Sequence, residues 1–95
     1  MSHSKFVQAC TRAHARAVGR EVAADVAYAR ACDADREGPG PMREREHWAT
    51  RCAAIEAAWR DYREEVGAAD AAWRDAGGSY QPWPGGRGVG VAGPP

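Results

Sequence analysis

The stretch WATRCAAIEAAWRDYREEVGAADAAW, residues 48–73, decides the fold. Trp48, Cys52, Ile55, Trp59, Tyr62, Val66, Ala69 and Trp73 follow one another at alternating steps of four and three residues. With 3.6 residues per turn, that spacing returns each side chain to one face of an α-helix. A repeat averaging about 3.5 residues is that of a coiled-coil seam. Arg51, Glu56, Arg60, Asp61, Arg63, Glu64, Glu65 and Arg74 fill the positions between and are expected to face water. The seam residues Trp48, Cys52, Ile55, Trp59, Tyr62, Val66 and Trp73 are the expected core of a helical hairpin.

Outward from this stretch, residues 5–35 are rich in Ala and contain no Pro and one interior Gly, Gly19. Ala has the highest helix propensity, so a long first helix is expected, with Ser2 or Ser4 as its cap and Gly19 as a soft point costing about 1 kcal/mol. A rotation of about 100° per residue sorts its apolar residues into two sectors. Phe6, Cys10, Ala13, Ala17, Ala24, Ala27, Tyr28 and Ala31 make one; Val7, Val18, Val22, Val26 and Ala29 make the other. A helix in a simple hairpin needs only one such face. The valine sector has no mate within the chain.

Gly38-Pro39-Gly40-Pro41 separates the two helices, with Gly38 expected in the left-handed region and Pro41 in the first turn of the second helix. A short connection makes antiparallel neighbours. Charge agrees: residues 1–20 carry four bases and no acid, and residues 61–75 carry five acids against Arg63 and Arg74. The expected architecture is all-α: an antiparallel, coiled-coil-like hairpin over 1–76, with helices at about 4–36 and 42–76 and a turn at 37–41. A flexible Pro/Gly-rich tail follows over 77–95, since that composition cannot bury enough surface to fix its backbone.

The 95 residues carry 13 basic and 13 acidic side chains and no net charge, so composition calls for neither nucleic acid nor an anionic membrane as a partner. Cys10, Cys32 and Cys52 are an odd set, read as reduced buried thiols. No apolar run reaches the length of a leader or a membrane span, and a cytoplasmic location is expected.

Candidate chemistry is sparse. Glu44-x-x-His47 resembles the carboxylate–imidazole pair of ferritin-like di-iron bundles, but no inward Glu is expected opposite it. Cys10 and His14 have half of a zinc-ligand pattern and no second half. No metal or cofactor is expected from either pair. Arg12, Arg16 and Arg20 step by four and could track phosphates, yet Asp61, Glu64 and Glu65 are expected beside them. No hydroxyl sits beside a base as a nucleophile would require, and the expectation is that the chain is not an enzyme.

In the tail, Tyr80 and Trp83 flanked by Pro82 and Pro84 present two aromatics on a stiff backbone, a pattern suited to docking. The function expected is a non-enzymatic interaction or assembly module, oligomerising by helix packing. Its partner is a second copy, another protein or both, met by Val7, Val18, Val22, Val26, Tyr80 and Trp83. A dimer through the valine sector would make a four-helix bundle. A small nucleic-acid regulator using the Arg row and a ferritin-like metal hairpin are the two alternatives.

Overall fold

The structure is a computed structural model that describes residues 1–78. It contains two helices, α1 (His3–Glu37) and α2 (Glu44–Asp75), folded back on each other as an antiparallel hairpin. The Ser2 hydroxyl caps α1, accepting from the backbone N–H of Lys5 at 3.2 Å. At about 1.5 Å per residue, the 35 residues of α1 make a rod of roughly 50 Å.

The turn departs from its expected form in two ways. Gly38 is extended (φ −91°, ψ 171°) instead of left-handed, and α2 begins at Glu44, three residues beyond Pro41. Asp35 accounts for the later start. Its carboxylate accepts from the backbone N–H of Arg43, the residue that caps α2, at 2.9 Å. In a capping box a carboxylate at the third helical residue satisfies that N–H; here the preceding helix supplies it.

The far end of α2 closes on two glycines. Gly77 lies in the left-handed region (φ +92°). Its N–H donates to the Arg74 carbonyl, and the N–H of Gly78 donates to the Trp73 carbonyl, both at 2.9 Å. This pair of bonds is a Schellman motif, which satisfies carbonyls that the end of a helix would otherwise leave free.

Between the helices the closest packing belongs to small side chains. Ala13, Ala17 and Ala24 of α1 and Ala58 and Ala69 of α2 are buried, together with Cys32 and Trp73. Among the described residues no large side chain is fully enclosed. The core is a thin line of methyl groups, closed at the open end of the hairpin by Trp73. That indole stacks on Phe6 with ring centroids 4.7 Å apart and planes inclined by 11°.

The aromatic seam therefore stands beside the line of contact instead of on it. Trp48, at 49 % exposure, and Cys52 lie at the surface, correcting their expected place in the hairpin core, while Ile55, Trp59, Tyr62 and Val66 are half-buried. The reason is size. Helices that meet through alanine approach too closely to admit an indole between them, so α2 turns its own Ala58 inward and the rings flank the contact.

Candidate interaction surface

Polar bonds between the helices fix their register, and with it what is left outside. Arg16 pairs with Glu65, Arg20 with Asp61 at 2.8 Å, and Arg51 with Asp25 at 2.5 Å. The Arg row is thus engaged by acids of α2 at two of its three positions. The Arg20 guanidinium also holds the Asp61 carboxyl below the usual carboxylate range. Trp59 Nε1–H donates to Glu21 at 2.8 Å, so its half-buried ring keeps its one donor satisfied. His14 meets the rings of Trp59 and Tyr62 edge-on.

On the outer side of α1 the valine sector stays open. Val7, Val18, Val22 and Val26 are 45 %, 41 %, 55 % and 42 % exposed. By helical rotation, Val18, Val22 and Val26 lie about 160° round α1 from the buried line of Ala13, Ala17 and Ala24, so α2 cannot reach them. Trp48 is the large exposed apolar group of α2. It is held edge-on by Tyr28, at 5.3 Å between centroids, and lies beneath the Arg51 guanidinium at 4.5 Å.

Small residues of both helices line a second feature. Ala24, Ala27, Ala31, Thr50 and Ala54 line a half-open apolar groove of about 220 Å³. Tyr28, His47 and Arg51 complete its lining.

The two halves of the ferritin-like pair take different partners. Glu44 accepts from the Tyr28 hydroxyl at 2.9 Å, whereas His47 Nε2 lies 2.8 Å from Asp35. Among the described residues, no three of the His, Cys, Asp and Glu side chains gather as metal ligands would. Cys32 is buried, Cys10 half-buried and Cys52 exposed, so buried thiols describe only part of the set. No described helix is long and apolar enough to cross a membrane. Tyr80 and Trp83 lie outside the described residues.

The residue that sequence reasoning missed is Asp35. Its side chain is only 9 % exposed and carries Arg43 and His47 together. The Arg43 backbone N–H, then His47, hold its carboxyl below the ordinary carboxylate value. The available signal was an acid next to the turn with a His and an Arg just beyond it. Comparison with protein-family models, with curated proteins and with solved structures finds no match.

Proposed function

We propose that the chain is a non-enzymatic assembly module whose working surface is the outer face of α1. One observation carries this reading: a hairpin whose own core is mostly alanine leaves Val7, Val18, Val22 and Val26 in water. Scattered exposed apolar residues are ordinary, but a row at helical spacing is the pattern of a face awaiting a partner. A module this small also gains stability from association, because short chains bury too little surface alone. Arg16 and Arg20, each paired to an acid of α2, have less charge to offer phosphate. That weighs toward a protein partner over nucleic acid.

Multi-angle light scattering over a micromolar range tests the reading. The expected result is a mass above that of the 10.2 kDa monomer for the native chain, and monomer mass with retained helicity for Val18→Glu with Val22→Glu. A native monomer at high micromolar concentration would overturn self-association and require a foreign partner on that face.

A further inference from the structure

We infer that the partner on this face is a second copy of the chain, lying antiparallel to the first along α1 about a twofold axis through Val22. The inference rests on the valine row being an interface and adds its orientation. A twofold contact needs a patch that is complementary to itself. Ala15, Val18, Val22, Val26 and Ala29 share the outer arc of α1, with steps of three, four, four and three. The row reads the same from either end. In an antiparallel pair centred on Val22, residue i faces residue 44 − i of the other copy. Ala15 then meets Ala29, Val18 meets Val26, and Val22 meets itself.

Charge favours the same orientation. The first half of α1, to Arg20, carries four bases and no acid; the second half, residues 21–37, carries five acids and two bases. Beside the valine row, by helical rotation, run Lys5, Arg12, Arg30 and Glu37. None of the four side chains makes an ion pair among the described residues. In the antiparallel pair the twofold axis lies across the helices and sets this flank against the same flank of the second copy. Antiparallel, Lys5 comes within two residues of the level of Glu37, roughly 3 Å along the axis, and Arg12 within one residue of Asp33. Arg30 near Arg12 and Arg16, and Asp25 near Glu21 on the other flank, are like-charged approaches; Arg16, Asp25 and Glu21 already have partners in the hairpin. A parallel pair would put this flank on opposite sides of the contact in the two copies, and Lys5 would not meet Glu37.

Gly19 fits this contact. It sits on the edge of the row, and a Cβ there would touch nothing in the hairpin. The hairpin itself gives no reason for a glycine in mid-helix, where it costs helix propensity. In the antiparallel pair it faces the level of Asp25 and Val26 of the second copy, and lets the backbones approach. The row lies nearly opposite the contact with α2, so the dimer is an open layer of four helices, α2–α1–α1–α2, in place of a closed bundle.

Disulfide trapping reads the orientation. In the full chain with Cys10→Ser, Cys32→Ala and Cys52→Ser, shown by mass to associate as the native chain does, Val18→Cys is oxidised alone and mixed with Val26→Cys. Antiparallel packing separates the two Val18 positions by eight residues, about 12 Å, beyond disulfide reach. The expected result is no link for Val18→Cys alone, a link in the mixture, and a self-link for Val22→Cys. A dimer in which Val18→Cys links to itself is parallel and overturns the inference while keeping the interface. A dimer with no links uses another face and overturns it too, and a native chain that stays monomeric removes the interface reading itself. Charge exchange in the otherwise native chain gives a second readout. Lys5→Glu should weaken the dimer about two- to thirty-fold, the scale of the two symmetry-related exposed pairs it removes. Adding Glu37→Lys should restore it; further weakening by the second change would count against the antiparallel pair.

Discussion

Asp35 of α1 and Arg43 at the head of α2 are joined by a hydrogen bond of 2.9 Å from the Arg43 backbone N–H to the Asp35 carboxylate. The start of the second helix is thereby tied to the end of the first. No side chain of α2 caps its own N-terminus. Asp35→Ala removes that tie and the bond to His47, and leaves the N–H of Arg43 without its acceptor. A lost cap lowers the midpoint of a small domain on the order of 5 °C. Thermal unfolding by circular dichroism should show that drop, and Asp33→Ala, whose exposed carboxylate pairs with Arg36 one turn away, should show little. Equal effects from the two would remove the special place given to Asp35.

The same carboxylate sets the direction of the acid response. Its folded-state value is held down, first by the Arg43 N–H and then by His47, while the unfolded chain titrates near the ordinary 3.9 or so. A depressed carboxylate contributes stability that is present above the unfolded value and is lost as pH falls through the folded one. Asp61 beside Arg20 acts in the same sense. Melting temperature should therefore hold at neutral pH and decline below about pH 4. Asp35→Asn should start lower and decline less. An unchanged acid limb in that variant would show that other groups set it.

How far the residues foretold this arrangement differs from one part to another. The antiparallel orientation was legible, because the opposite charges on segments 1–20 and 61–75 lie side by side only when the helices fold back, and Arg16–Glu65 and Arg20–Asp61 join those two segments. The valine sector was legible from rotation alone. The exposure of Trp48 and Cys52 was not, because periodicity gives a face to about one residue and cannot weigh the size of a ring against the closeness of two alanine surfaces. Nor was Asp35 legible as a cap, since rules for helix ends consider neighbours in sequence and this carboxylate reaches across the turn. The unfulfilled expectations for Gly38 and Pro41 come from the same cause: a long-range bond decided where α2 starts.

Trp73 and Trp48 should respond very differently to truncation. Trp73 is 5 % exposed and packs on Phe6, with His3 at 5.6 Å, whereas Trp48 is 49 % exposed. Trp73→Ala should cost about 3–5 kcal/mol, as buried aromatics do. In a hairpin with so thin a core, that loss frees the open end. Trp48→Ala should cost the hairpin under about 1 kcal/mol, as surface changes do. Urea unfolding at one protein concentration gives both numbers, and a Trp48 loss as large as that of Trp73 would mean that Trp48 is covered in solution.

The end of α2 offers a steric test. A Cβ added at Gly78 would run into the indole of Trp73, and one at Gly77 would sit on a backbone at φ +92°. The two glycines are needed for different reasons, one for space and one for conformation. Gly77→Ala should cost roughly 1–2 kcal/mol through the left-handed backbone. Gly78→Ala should move the ring, seen as a changed near-ultraviolet circular dichroism signal. Pairing it with Trp73→Ala removes the clash, so Gly78→Ala should then add almost nothing further; an undiminished cost in that double variant contradicts the steric account.

Tyr28 closes the hairpin from the other side of the turn, and its titration follows from what it touches. Its hydroxyl donates to Glu44, and the carboxylate, followed by partial burial and the nearby Cys32, pushes its pKa up to about 12. Ionisation would set a phenolate against a carboxylate. A raised tyrosine contributes stability that is intact below its unfolded value near 10 and is lost as pH rises through the folded value. Absorbance at the phenolate band should therefore show one tyrosine ionising late, together with a loosening of the turn on the alkaline side. Glu44→Gln keeps the shape of the acceptor and removes its charge, so that late ionisation should move back toward the ordinary range. Persistence of the late step in Glu44→Gln would assign it to burial instead of to the carboxylate.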